Sequence, residues 1–273
     1  MPRSSSTMIL RSLTALFLAL SLTLTGCSLI PEKEDETRGW NAQKLYSEAK
    51  DALNDGNYQR AVELYEKLEA RYPFGRYAQQ AQIETAYAHY KAGEAEEAIA
   101  AADRFIRLHP NHPNVDYMYY LKGLATFNED LGLLGTISNQ DLSERDPKGM
   151  RESYETFREL VERFPDSKYA DDARQRMVYL TNAMARYEVH VADYYLRRGA
   201  YLAAANRAKA VLEEFPDSPA QEDALWILIQ AYDKLGLQDL RADAERVMRQ
   251  NFPQSAYFHG GKKGPDKPWW QLW

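Results

Sequence analysis

The chain is almost devoid of cysteine: its 273 residues include one, Cys27. A single thiol closes no internal disulfide and builds no thiolate metal cluster, so disulfide-stapled scaffolds, zinc ribbons and iron–sulfur folds are excluded together. Positive charge is also short. Lys and Arg number 34 against 40 Asp and Glu, a net charge of −6, whereas a nucleic-acid binder carries a basic face. Long apolar runs are missing: Leu13 to Leu24 is almost unbroken but falls short of the roughly 20 residues that span a bilayer. Catalytic motifs are missing too. There is no Gly-x-Ser-x-Gly elbow, phosphate loop or HExxH. The five histidines offer one close pair, His109 and His112, which Pro110 and Pro113 place in a turn rather than on a helix face. No catalytic residue, metal ligand or cofactor is assigned. With 45% hydrophobic and 27% charged residues, the composition suits a folded, water-soluble protein of one or two domains.

What is present begins at the amino end. Arg3 and Arg11 flank the start of the apolar run, and small Thr25 and Gly26 precede Cys27. A basic region, a short apolar region and small residues at a cleavage point read as a signal peptide. Leu24-Thr25-Gly26-Cys27 resembles the bacterial lipobox, in which the cysteine sulfur takes a diacylglycerol and the chain is cut before it. An ordinary secretory signal with an incidental cysteine is the competing reading. The lipobox reading makes residues 1–26 a cleaved signal and Cys27 the lipid attachment site, with S-diacylglycerol and N-palmitoyl chains. One acyl chain holds a membrane marginally, while two or more anchor stably. Ser28 in place of Asp implies, by the same resemblance, sorting to the periplasmic face of the outer membrane. Residues 27–38, with Pro31 and the acids Glu32, Glu34, Asp35 and Glu36, read as a lipidated flexible tether. Loss of the signal leaves 32 basic against 40 acidic residues, a net charge of −8.

The remainder is governed by self-similarity. Five times an amphipathic stretch ends in an aromatic residue or His before Pro, at Pro73, Pro110, Pro165, Pro216 and Pro253, with spacings of 37, 55, 51 and 37 residues. A spacing of 37 lies near the ~34 of a tetratricopeptide repeat, a helix–turn–helix unit ended by proline. Small residues recur at matching offsets: Ala49, Gly56 and Ala61; Ala86, Gly93 and Ala98; Ala192, Gly199 and Ala204. The spacing predicts an all-α solenoid of about five tetratricopeptide-like helix pairs with a long helix joining two halves. Repeats 1–3 fall in residues 39–165 and repeats 4–5 in residues 166–257, followed by a flexible Trp-rich tail over residues 258–273. In the third unit, Gly132, Gly135, Asn139 and Asp146-Pro147 signal a long irregular loop between Phe127 and Met150. In the fourth, Lys168 to Arg198 holds neither Gly nor Pro, which predicts one helix of roughly 40–45 Å. In the fifth, Arg241 stands where the other units have a small residue, as suits a terminal cap.

In such a solenoid the first helix of each unit lines the concave face. Counting from Ala49, Ala86 and Gly123 places Tyr46, Lys50 and Leu53, then Ile83, Tyr87, Tyr90 and Lys91, then Tyr117, Tyr120, Leu124 and Phe127 on that face. The predicted peptide groove comprises Tyr46, Tyr87, Tyr90, Lys91, Tyr117, Tyr120 and Phe127. Aromatic walls with a few cations suit an extended peptide with hydrophobic side chains, with inter-repeat packing as the competing role for any one tyrosine. A second surface is a basic cluster in the fourth unit, Arg197, Arg198 and Arg207, with Arg197 and Arg207 as candidate partner contacts. The tail carries Trp269, Trp270 and Trp273, suited to a partner pocket or a membrane interface.

Several whole strings go beyond the generic repeat: Arg71 to Gln82 (RYPFGRYAQQAQ), Asp103 to Tyr117 (DRFIRLHPNHPNVDY), Arg145 to Pro147, Arg186 to Gly199, and Asn206-Arg207. With these the chain resembles the BamD (ComL) family of lipoproteins of the outer-membrane β-barrel assembly machinery, while the terminal WWQLW departs from it. The resemblance implies a non-enzymatic scaffold. Its partners would be the POTRA region of the barrel insertase BamA, reached through the carboxy-terminal half and matched by Arg207, the lipoproteins BamC and BamE, and unfolded outer-membrane proteins received in the amino-terminal half. Two other classes stay open: a repeat-type pilotin lipoprotein for a secretin, disfavoured by the quoted strings, and a periplasmic cell-wall enzyme, disfavoured by the missing catalytic constellation.

Overall fold

Alanine-rich amphipathic stretches alternate with Gly and Pro at regular intervals, and the chain folds accordingly into helices broken at those points. The computed structural model describes residues 35–138 and 147–260. Cys27, the signal, most of the tether, Trp269, Trp270 and Trp273 lie outside the described residues. Helices α1 (Ala42–Asn54) and α2 (Tyr58–Arg71) form the first pair, α3 (Arg76–Ala92) and α4 (Ala95–Leu108) the second, and α5 (Val115–Ser138) and α6 (Pro147–Arg163) the third. The fourth pair is α7 (Ala170–Arg197) and α8 (Tyr201–Glu214), and the fifth is α9 (Gln221–Leu235) and α10 (Gln238–Asn251), followed by a 3-10 turn, Ala256–His259. No strand occurs among the described residues. Each helix packs on the next in sequence, and the first helices α1 and α3, α3 and α5, and α7 and α9 also touch. This is the tetratricopeptide arrangement, with first helices sharing one side.

The turns inside the pairs need a left-handed residue, and glycine supplies it. Gly56, Gly93, Gly199 and Gly236 have φ of 77°, 80°, 77° and 73°, a conformation that costs glycine little and other residues more. Ala49, Ala61, Ala86, Ala98, Ala192 and Ala204 are fully buried where helices meet. Arg241, at the matching place in α10, instead pairs with Asp233 at 3.5 Å and Glu245 at 3.3 Å. Among the described residues no later helix pair packs on α10, so a charged side chain fits.

The turns that end the pairs share a second device. Helices end on Tyr72, His109, Phe215 and Phe252, each with φ near −130° and directly before a proline, because the proline ring disfavours helical geometry in the residue before it. Two residues after Pro165, Pro216 and Pro253, the hydroxyls of Ser167, Ser218 and Ser255 accept the N–H of residues 169, 220 and 257 at 3.2–3.3 Å. In the second connector His112 takes this part: its Nδ1 accepts the Asn114 N–H at 3.1 Å, and burial holds its pKa below the usual imidazole value. His109 Nε2 lies 3.0 Å from Gln82 Oε1. Both histidines are thus committed to turn and packing contacts.

Two units are longer than the basic repeat. Helix α7 runs 28 residues without a break, about 42 Å at 1.5 Å per residue, as the absence of Gly and Pro predicts. The third unit corrects the sequence reading, because α5 continues through Gly132 and Gly135 to Ser138. A helical glycine costs about 1 kcal/mol, too little to end a stretch otherwise rich in leucine. Residues 139–146 lie outside the described residues. One apolar core runs from Val115 to Met248 across the third, fourth and fifth pairs. A smaller core around Phe105, Met118 and Leu121 joins α3, α4 and α5.

Residues 35–41 belong to a separate unit. There the Asp35 carboxylate accepts the Thr37 N–H at 3.1 Å and its hydroxyl at 2.8 Å, so the end of the stretch read as a tether forms a hydrogen-bonded turn.

Candidate functional site: an aromatic cleft on the first-helix face

The parallel first helices face an open cleft of about 800 Å³, within the ~300–1,000 Å³ typical of ligand sites. Lys50 and Leu53 come from α1, Ile83, Tyr87 and Lys91 from α3, and Tyr117 from α5. Lys168 and Tyr169, at the head of α7, complete the wall. Three of the seven predicted groove residues, Tyr87, Lys91 and Tyr117, therefore meet in one place.

The cations of the cleft are not equivalent. Glu84 is only 9% exposed; its Oε1 accepts from Lys50 Nζ at 2.8 Å and from Gln80 Nε2 at 3.2 Å, so the charge of Lys50 is committed. Lys91 is exposed and has no ion pair among the described residues. Lys168 Nζ lies 4.9 Å from the Tyr169 ring centroid, a cation–π contact that leaves its N–H donors available. The Asp116 carboxylate accepts the Ser167 hydroxyl at 2.6 Å and the Tyr117 N–H at 2.7 Å. Tyr117 has its pKa raised, first by burial and then by Tyr169, Tyr87 and Glu84, so it presents a phenol and not a phenolate. The cleft thus offers apolar ring faces, hydroxyl donors and two uncommitted ammonium groups.

The other four groove residues lie elsewhere. Tyr46 packs between Tyr65 and Tyr77, at centroid distances of 5.9 and 5.5 Å. Tyr90 packs on the core around Phe105 and Met118. Phe127 meets Tyr179 edge-on at 6.0 Å. Tyr120 belongs to the seam between α5 and α7: it stacks on Tyr169 at 4.7 Å and 16° and donates its hydroxyl to Asp172 Oδ2 at 2.7 Å. Burial and that bond push the Tyr120 pKa up to about 12. Burial alone would raise Asp172, but bonds from Tyr120 and Arg176 outweigh it and hold the carboxyl below its usual value. Sequence counting missed Glu84, Lys168 and Tyr169. The last two sit in the connector before α7, outside the first helices of units one to three to which helical spacing applies.

The proposed basic cluster is dispersed. Arg207 Nη1 pairs with Glu188 Oε2 at 2.9 Å and Arg197 Nε with Asp193 Oδ2 at 2.9 Å. The Arg198 guanidinium sits 5.7 Å from the Tyr194 ring centroid. Residues 188 and 197 are nine apart on α7, about two and a half turns, so the two ion pairs occupy opposite sides of that helix.

Among the described residues no helix is long and apolar enough to cross a membrane. The profile of the YfiO family, described as outer membrane lipoprotein, matches residues 39–248. The chain belongs to this family. The outer membrane protein assembly factor BamD of Neisseria meningitidis serogroup A is 49% identical, over 94% of this chain and 98% of its own length. The factors of the same name from Xylella fastidiosa Temecula1 and Vibrio cholerae O1 are 41% and 38% identical, over 94% and 86% of this chain and 87% and 95% of theirs. A solved tetratricopeptide protein of Thermus thermophilus aligns over 81% of this chain and 96% of its own at 13% identity, with a TM-score of 0.35. That superposition is too loose to carry an argument. The strings around Pro73, Pro110 and Arg186 fall inside the matched region.

Proposed function

We propose that this chain is a non-enzymatic scaffold lipoprotein of the outer-membrane β-barrel assembly machinery, held at the periplasmic face of the outer membrane by acyl chains on Cys27. Its relatives of the same family are named as outer membrane protein assembly factors. In this reading the fourth and fifth pairs dock on the periplasmic POTRA region of BamA, with BamC and BamE as further partners. The cleft takes the signals of unfolded outer-membrane proteins.

The observation that carries the reading is the cleft between α1, α3, α5 and the head of α7. Tyr87, Tyr117 and Tyr169 offer ring faces for aromatic side chains, and Lys91 and Lys168 offer uncommitted donors for a carboxylate or for peptide carbonyls. Peptide binding to a half-wet aromatic groove uses this combination. The test is titration of the chain lacking residues 1–27 with a labelled peptide that ends in an alternating aromatic signal. Tyr87→Ala and Tyr117→Ala are expected to weaken binding about tenfold each, an ordinary size for an aromatic contact at an interface. Unchanged affinity in both variants, or photo-cross-links confined to α9 and α10, would overturn the assignment.

A further inference from the structure

The five turns that end the pairs, four of them connectors to the next pair and the last after the fifth, allow an internal comparison. The residue after proline is Asn111, Asp166, Asp217 or Gln254 in four of them, polar and exposed in every case. In the first connector it is Phe74, whose exposure of 91% is the highest among the exposed large hydrophobic residues. The next position in the other four, His112, Ser167, Ser218 and Ser255, braces the turn by accepting the N–H two residues on. In the first it is Gly75, which begins α3 with no side-chain cap and a φ of 95°, open to glycine and unfavourable for other residues. This connector has exchanged a polar residue and a turn-bracing side chain for an exposed ring on a glycine turn. Neither change benefits the fold. Tyr72, 37% exposed, and Pro73 extend the apolar surface. Arg76, exposed and without an ion pair among the described residues, stands beside it with its guanidinium 5.1 Å from the Tyr77 ring centroid.

We propose that Phe74 is a docking plug for a folded protein partner that presents an apolar pocket with carboxylates at its rim. A lone aromatic side chain projecting from a turn fits a concave pocket, the arrangement in which single residues dominate binding. The free Arg76 adjacent to it favours an acidic rim, and desolvated aromatic–arginine pairs recur at interface centres. A membrane surface fits less well, because one ring beside one cation offers little apolar area and the chain as a whole is acidic. This surface lies between the first and second pairs. It is separate from the aromatic cleft and from Arg197 and Arg207.

The test places a photo-reactive phenylalanine analogue at position 74 in the full-length, membrane-anchored chain, with the same group at positions 166 and 217 as matched controls. The expected result is a discrete protein adduct from position 74 alone, mapping to apolar residues flanked by Asp or Glu and reduced severalfold by Arg76→Glu. Phe74→Asp, which restores the polar residue of the other connectors and leaves Gly75 at its positive φ, is expected to leave the melting temperature unchanged or higher and to weaken the identified partner at least tenfold. Adducts to lipid alone or to a second copy of the chain would overturn the proposal, as would no adduct, or one indifferent to Arg76→Glu. A marked fall in melting temperature in Phe74→Asp would also overturn it, by showing that Phe74 serves the fold.

Discussion

Gly123 of α5 packs directly beneath the ring of Phe157 of α6: a Cβ at position 123 would lie 2.5 Å from the ring, and the hydroxyl of Ser153 donates to the Gly123 carbonyl at 3.0 Å. The third pair therefore closes on glycine where the first and second close on Ala49 and Ala86. Gly123→Ala is expected to destabilise the protein by about 1–3 kcal/mol through overpacking. Phe157→Leu in the same chain should recover part of the loss, since neighbours in contact are not additive. Urea midpoints of the unsubstituted chain, the two single variants and the double variant measure this, and a fully additive cycle would contradict the contact.

Lys50 and Glu84 bind α1 to α3 with unequal exposure, the lysine side chain 39% and the carboxylate side chain 12% exposed. Removing the cation leaves a largely buried acid, whereas removing both charges does not. Lys50→Met alone is expected to cost about 1–2 kcal/mol, a value reduced from that of a fully buried pair because Lys50 is partly solvated. Lys50→Met with Glu84→Gln should cost less than the single change. Chemical denaturation of the two variants decides the order.

His112 gives the second connector a dependence on pH that the others lack. Burial, and then the charge of His109, lower its folded pKa below 6.5, so its contribution to stability is present above about 6.5 and is lost as pH falls through that value toward the folded pKa. His112→Ser, which copies the serine of the turns after Pro165, Pro216 and Pro253, is expected to keep the turn bond and reduce the loss of stability between pH 7.5 and pH 5. Thermal melts at the two pH values test it, and an unchanged slope would show that His112 is not the titrating group.

Arg207 is a poor target for simple charge reversal, because Arg207→Glu would set a carboxylate against Glu188, whose side chain is 16% exposed. The single reversal is expected to lower stability by about 1 kcal/mol, and the swap Arg207→Glu with Glu188→Arg to restore it. If Arg207 contacts BamA directly, binding to its periplasmic domains stays weak in the swapped chain. Recovery of binding with recovery of stability would assign Arg207 to the fold.

The repeat was legible because each of its marks has a local cause. Gly56, Gly93, Gly199 and Gly236 are required by positive φ, and the prolines by helix ends, so their spacing shows the units directly. The end of α5 was misread because a helical glycine carries only a modest penalty, and Gly132 and Gly135 look the same in sequence whether they end a helix or lie within it. The cleft was partly legible. Tyr87 and Tyr117 follow from position within a first helix, but Tyr90 is turned about 60° from Tyr87 and Tyr46 lies one turn before Lys50, and both are taken up by packing. Lys168 and Tyr169 reach the cleft from a connector, through a tertiary placement that no helical count includes.

Helix α7 carries a thermodynamic consequence. The short connectors over residues 164–169 and 198–200 fold α6 back along its first half and α8 along its second, so two neighbouring pairs share one uninterrupted column of backbone hydrogen bonds. Arrays of independent repeats melt in steps, because each unit is coupled only to its neighbours. Here, opening either pair must fray the same helix, so amide hydrogen exchange along α7 should report a single opening free energy that spans the join.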